Sequence, residues 1–210
     1  SLSFSLSYAI IIARHQYLKE TDMAKAVRFY EAGGPEVLRY EDVEVGEPGP
    51  GQVRLRHVAV GLNFADTYFR SGMYPIPLPN GMGVEAAGVV QAVGDGVTHI
   101  AVGDRVTYTG FLNTLGAYST ERLIAAAPLI KLPESIGFET AAAMTMRGLT
   151  SAYLMRRIYP FKAGDTLLLH AAAGGVGLIV SQWAKLLGIT VIGTVSTDAK
   201  AQVAQAHGCT

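Results

Sequence analysis

The sequence predicts a mixed α/β chain in which a β-rich domain leads into the opening of a doubly wound, parallel-sheet domain. Three observations predict it. Between residues 83 and 110, short apolar segments alternate with Gly-Asp turns at Gly94-Asp95 and Gly103-Asp104, the rhythm of a small barrel. Near Ser135 the pattern changes to helix-compatible segments. From Thr166 onward an apolar strand, a glycine loop, an amphipathic helix and a second apolar strand follow in turn, which is a β-α-β unit. The 210 residues allow one large domain or two modest ones.

Composition agrees with a packed chain. It is 50% hydrophobic and 16% charged, below the usual charged share of about 25%, which excludes disorder. Seventeen basic residues balance seventeen acidic ones, and a net charge of zero argues against nucleic acid as a partner held through phosphates. The single cysteine, Cys209, excludes an intrachain disulfide and a cysteine-built zinc site, and fits a reducing, cytoplasmic setting. The histidines at 15, 57, 99, 170 and 207 have no ligand spacing. No run reaches the roughly 18 apolar residues of a membrane helix, so no membrane partner is expected.

Residues 1–22 read as a leader outside the functional fold. Their apolar run Tyr8 to Ala13 is too short for a span of about 20 residues, and the first basic residue, Arg14, follows the run instead of preceding it. Ala24 to Tyr30 is a short strand. The stretch from Gly33 then leads to the turn cluster at 46–52. Val53 to Gly61 alternates apolar with polar early on, as a half-buried strand does. Leu62 to Gly72 is helical or turn-like. Prolines at 75, 77 and 79 make Tyr74 to Gly81 an irregular loop. Strands follow at 83–93 and 103–110, and Ala117 to Pro128 supplies another strand and a loop.

Ile136 to Ile158 carries helical segments, stopped by Pro160 and Gly164-Asp165. Thr166 to His170 is continuously apolar, as expected of a parallel strand buried on both faces. In the next helix Ile179, Trp183, Leu186 and Leu187 fall on one stripe, predicted to be its buried face, and Gly188 ends it. Ile189 to Val195 is a second buried strand, and Ser196 begins another helix.

The turn after Leu169 carries Ala172-x-Gly174-x-x-Gly177, a dinucleotide fingerprint with alanine in the first glycine position. Small residues let the backbone approach a pyrophosphate and let helix and strand pack closely, while the helix N-terminus offers unpaired N–H groups. Ala173, Gly174, Gly175, Val176 and Gly177 are therefore cofactor-binding candidates. At the end of the second strand, where an NAD site usually has an acid, stand Ser196 and Thr197, with Lys200 one turn on. Hydroxyls and a cation suit the 2′-phosphate of NADPH, provided Asp198 faces solvent. The plainer reading is that Ser196 caps the next helix and Lys200 is solvated.

Residues 33–38, 61–75, 83–97, 103–106, 115–119, 141–154 and 170–177 carry a likeness. Through them the chain resembles, at family level, the zinc-free quinone oxidoreductases of the medium-chain dehydrogenase/reductase superfamily, the zeta-crystallin type. Gly83-x-Glu85-x-x-Gly88 matches the pattern Gly-His-Glu-x-x-Gly of the zinc enzymes. Here Val84 stands where their zinc-binding His would be, and Asn63 where a Cys would be. The resemblance implies a GroES-like catalytic domain over 23–146 and the N-terminal part of a Rossmann domain over 147–210. NADPH would lie between them, with no zinc, and its hydride would pass to a quinone or other small electrophile.

It further implies that Asn63 and Tyr68 are the catalytic candidates. Asn63 would hydrogen-bond the nicotinamide carboxamide or the substrate oxygen. Tyr68 would donate to the reduced oxygen or stack on the ring. The ordinary alternatives are a helix cap for Asn63 and packing for Tyr68. Thr150 would touch the cofactor, Asp66 would orient the loop or face solvent, and Glu85 would be a structural partner. A homodimer is implied. Rival readings are an enoyl or alkenal reductase of the same fold, a non-catalytic crystallin-like or RNA-binding relative, and an inactive fragment. A doubly wound fold uses two β-α-β-α-β halves, so residues 1–210 alone are expected neither to reduce quinones nor to bind NADPH tightly.

Overall fold

The computed structural model describes residues 23–110 and 114–210, so the leader assigned to 1–22 lies outside the described residues. The chain divides between Thr145 and Met146 into two compact units.

In the first unit a five-stranded antiparallel sheet carries the core. Its strands are β3 (Gln52–Gly61), β5 (Glu85–Val93), β6 (Arg105–Thr109), β7 (Glu121–Ala125) and β8 (Ile130–Lys131), in the order β7-β3-β5-β6-β8. Val53, Leu55, His57, Ala59 and Gly61 of β3 are buried in strict alternation, which continues the period-two pattern read at the start of the strand through polar His57, while Val58 is exposed. Val53, Leu55, Val90, Val106 and Tyr108 form the main cluster with Ile124 and Leu129. Ala59 and Ala87 pack instead against Ala141 and Ala142 of α2 (Phe138–Tyr153), where small side chains let helix and sheet approach.

A three-stranded sheet, β2-β1-β4, lies beside it, made of β1 (Ala24–Phe29), β2 (Arg39–Val43) and β4 (Asn80–Gly81), with a 3-10 turn at Pro35–Val37. The proline-rich loop is thus not irregular to its end: its last two residues pair with β1, because Pro79 precedes the pairing and removes no ladder donor from it. Between β3 and β4 lies the helix α1 (Phe64–Arg70).

The second unit holds β9 (Thr166–His170) and β10 (Thr190–Thr194), paired in parallel register from Thr166↔Thr190 to His170↔Thr194. Between them runs α3 (Gly175–Leu186), and α4 (Asp198–Ala206) follows. The carboxyl half of α2 enters this unit and ends in a π-helical turn at Leu154–Ile158.

Two expectations are corrected here. Neither β9 nor β10 is buried on both faces. Leu168 and Ile192, paired in register, are 58% and 49% exposed, because only one face of the two-stranded sheet meets the cluster of Met155, Val180, Ala184 and Val191. And the buried stripe of α3 is Gly177, Val180, Ser181 and Ala184, not the stripe of large residues. Ile179, Trp183 and Leu187 are half-buried at its flanks and Leu186 is exposed. A face of small residues brings the helix close to the strands, and Trp183 and Leu187 pack on the rim of the cluster that results.

Candidate active site and cofactor loop

Asn63 and Tyr68 both come from the segment that leaves β3. The chain turns at Asn63, which is extended and serves as the N-cap of α1. The Asp66 carboxylate reaches back to accept the Asn63 backbone N–H at 2.9 Å, the reciprocal half of a capping box. Capping does not exhaust Asn63. Its side-chain Nδ2 donates to Glu85 Oε2 at 2.8 Å, and both side chains are buried. Glu85 opens β5 directly across from Gly61, and a Cβ at residue 61 would collide with its carboxylate and with the Ala142 carbonyl. Gly61 is therefore required by space.

Asp66 is 2% exposed, which rules out the solvated alternative. Its Oδ2 also accepts the Tyr118 hydroxyl at 2.6 Å, while its Oδ1 has no hydrogen-bond partner. Burial pushes this carboxyl above the usual range, against the downward pull of the Tyr118 and Asn63 donors. Tyr118 is itself driven up by burial and by the neighbouring charges of Asp66 and Glu85. Sequence reasoning missed Tyr118. It is 52 residues from Asp66, and the one signal was Gly83 (φ +87°), whose missing side chain is where the Tyr118 ring lies.

Tyr68 is half-buried on α1, edge-on to Phe64 and Tyr74 at centroid distances of 5.4 and 5.2 Å. Phe64 is 76% exposed, so an aromatic surface borders Tyr68. Packing and a ring-stacking role are served by the same arrangement.

In the second unit the glycine loop has the form a dinucleotide needs. Gly174 is the extended N-cap of α3, and the first backbone bond into the helix runs from Leu178 N–H to Gly174 C=O, which leaves the preceding amides at the helix start. A Cβ on Gly177 would fall 2.6 Å from the Ala171 carbonyl oxygen, so only glycine permits this approach. The left-handed residue of the turn is Ala171 (φ +53°), one position before the alanine that matches the first fingerprint glycine; Ala172 is fully buried and Ala173 half-buried.

A Cβ on Gly175 would meet Arg147 Nε at 2.6 Å, so the α2 guanidinium lies against the loop. Nothing in the spacing announced Arg147. Thr150, one turn further along α2, is half-buried. Ser196, Thr197, Asp198 and Lys200 are all exposed. Thr197, not Ser196, caps α4, accepting from Lys200 N–H at 3.3 Å. Lys200 Nζ donates to Ser196 Oγ at 3.0 Å, and among the described residues no ion pair joins it to Asp198. The loop and this hydroxyl–ammonium pair fit the pyrophosphate and 2′-phosphate of NADPH. Among the described residues no group of three or more His, Cys, Asp or Glu could hold a metal ion. No helix of the described residues is long and apolar enough to cross a membrane.

Residues 49–148 match the model of the alcohol dehydrogenase GroES-like domain. The chain is 54% identical over 187 residues to a quinone oxidoreductase of Pseudomonas aeruginosa, which covers 89% of this chain and 57% of the relative. Over the length they share, the chain is similar to the quinone oxidoreductases. A crystal structure of the Escherichia coli quinone oxidoreductase complexed with NADPH is 49% identical with a TM-score of 0.85, covering 88% of this chain and 56% of that one. Within the same range lies a 2-haloacrylate reductase of Burkholderia sp, 48% identical over 194 residues, covering 89% of this chain and 57% of the relative. The chain therefore spans a little over half the length of these relatives. The fold is the one expected: mixed α/β, with a GroES-like domain followed by the start of a Rossmann-type domain.

Proposed function

We propose that the chain is the catalytic and cofactor-loop portion of an NADPH-dependent, zinc-independent quinone reductase. The observation that carries this reading is the likeness to quinone oxidoreductases at up to 54% identity, one of them crystallised with NADPH. When bound, NADPH supplies a hydride, and a quinone takes it up with one proton to become the hydroquinone. The chain's own residues hold and orient. Ala173, Gly174, Gly175, Val176 and Gly177 give their backbone to the pyrophosphate. Ser196, Thr197 and Lys200 take the 2′-phosphate, and Thr150 touches the cofactor. Asn63 holds the nicotinamide, and Tyr68 stacks beside it or donates a proton to the reduced oxygen. A quinone is a good acceptor by itself, so the site needs an apolar surface and no Lewis acid. We place the reaction in the cytoplasm, in a homodimer.

A second reading, reduction of an activated alkene, is favoured by the 48% identity to the 2-haloacrylate reductase. The same residues would serve, and only the acceptor differs.

The test joins the chain to the C-terminal remainder of the Pseudomonas aeruginosa relative and assays a benzoquinone against a 2-haloacrylate. Asn63→Ala and Tyr68→Phe should each lower turnover while NADPH binding is kept. Normal turnover in both variants would remove these residues from the site, and preference for the haloacrylate would select the second reading.

A further inference from the structure

We infer that the carboxyl end of α2 and its π-helical turn form a docking face for an anionic lipid bilayer, one that lies on the surface and does not span it. The zero net charge of the chain hides an asymmetry. The second unit, Met146–Thr210, holds six of the seventeen basic residues and two of the seventeen acidic ones, a net of +4, which leaves the first unit at −4. The basic charge is concentrated. Between Glu139 and Asp165 the ionised side chains are Arg147, Arg156, Arg157 and Lys162, all cationic.

A cationic surface alone would be an ordinary solvated face, but this one is also apolar. Leu149, Tyr153, Ile158 and Tyr159 are each at least 50% exposed, and Leu154 is 37% exposed. Ser151 and Met155, four residues apart, are the buried row of the helix, and Met155 joins the core of the unit. Leu149 with Tyr153, and Leu154 with Ile158, repeat that spacing on rows the core does not take. Arg156 and Arg157 stand among them, both exposed. The Arg156 guanidinium lies over the Trp183 ring at 5.5 Å, and Tyr159 is edge-on to Phe161 at 4.6 Å.

Water is a poor partner for this combination, and a bilayer interface is a good one. Leucine and isoleucine enter the acyl boundary, and tyrosine rings sit at headgroup depth. Arginines lay their stems along apolar groups while the guanidinium meets lipid phosphate. The aliphatic residues decide against nucleic acid, which rewards cations and stacking rings but gives exposed leucine and isoleucine nothing. The charge decides for anionic lipid over neutral lipid. A face that lies in the interface needs no spanning helix. The absence of one among the described residues, on which the expectation of no membrane partner rested, concerns a different mode of attachment. The docking does not depend on which acceptor is reduced.

Trp183 supplies a probe, since it is the one tryptophan of the chain and lies under Arg156. The 210-residue chain is titrated with vesicles of equal phosphatidylglycerol and phosphatidylcholine, and with vesicles of phosphatidylcholine alone. A change in tryptophan emission and co-sedimentation are expected with the first and not with the second. By co-sedimentation, Arg156→Gln combined with Arg157→Gln should weaken binding to the anionic vesicles about thirtyfold, the product of the two charges lost. Leu154→Ser combined with Ile158→Ser should weaken it about tenfold. All four side chains are exposed, so the thermal midpoints should hold.

Equal binding to both vesicle types, or undiminished binding by both double variants, overturns the proposal. Tighter binding of polyuridylate or of polyglutamate than of the anionic vesicles also overturns it, and makes the partner a nucleic acid or an acidic protein. The last arm uses the chain joined to the C-terminal remainder of the Pseudomonas aeruginosa relative. That protein should bind the anionic vesicles as well. Loss of binding there overturns the proposal by showing that the face packs against the rest of a longer chain.

Discussion

Tyr118 donates its phenolic hydrogen to Asp66 at 2.6 Å and so ties the segment before β7 to the first turn of α1. Asp66 hands the constraint on to the Asn63 backbone. The catalytic candidate is thus held by a chain of groups drawn from two distant stretches of sequence.

Removing that hydroxyl has a predictable cost. Tyr118→Phe should destabilise the first unit by about 2 kcal/mol, the usual worth of a hydrogen bond to a charged group. Asp66 is already pushed up by burial, and losing this donor pushes it further. A carboxyl raised in the folded state is penalised above its folded pKa and relieved as pH falls through it. Urea unfolding of both proteins at pH 7 and pH 5 should therefore show a smaller gap at the lower pH. A gap that widens on acidification would contradict the assignment.

His57 carries the opposite sign. It is buried, with Nδ1 on the Ser119 carbonyl at 2.8 Å and Nε2 accepting from Tyr108 at 3.0 Å, and burial lowers its pKa from 6.5 to about 4. The neutral ring contributes stability that is complete above the unfolded value of 6.5. That stability is lost as pH falls from there towards 4, a loss of about 3 kcal/mol over the window. His57→Gln should flatten the fall of stability between pH 6.5 and 4 relative to the unsubstituted chain, as read by denaturant midpoints.

The two loop glycines should fail in different ways. Gly177→Ala drives a methyl to within 2.6 Å of a backbone carbonyl that cannot move alone, so stability should drop by about 2 kcal/mol. Gly175→Ala meets only the Arg147 side chain, which can swing aside. That variant should keep its thermal midpoint within a few degrees yet bind NADPH more weakly, because the displaced guanidinium no longer flanks the loop. Calorimetric midpoints and NADPH titrations separate the two.

Lys200→Ala tests the 2′-phosphate reading. Preference for NADPH over NADH should fall by about tenfold, about 1.4 kcal/mol. An unchanged ratio would leave Lys200 as no more than a surface partner of Ser196.

Local pattern made much of this legible. The early alternation from Val53 to Arg56 matches the burial of β3, which then runs on through polar His57, and the glycine loop lies between an apolar strand and a helix as its fingerprint requires. What the pattern hid was contact at long range. The proximity of Tyr118 to Asp66, and of Arg147 to Gly175, depends on topology that no spacing encodes. The buried stripe of α3 was misread for a different reason: periodicity weights large apolar side chains, whereas close packing on a strand selects small ones, and Gly177, Ser181 and Ala184 carry little hydrophobic signal. The exposure of Leu168 and Ile192 follows from how many layers cover a sheet, which a strand's own residues do not state.

The Asn63–Glu85 pair also bears on which residues could replace Asn63 and Val84. In the zinc-using branch of the superfamily, a cysteine and a histidine would stand at the positions of Asn63 and Val84. Val84 is completely buried, so a histidine there would have to bury a polar imidazole. A cysteine in place of Asn63 would strip Glu85 of a donor it now uses. Each substitution alone is expected to destabilise the first unit. Asn63, Val84 and Glu85 therefore resist replacement one at a time.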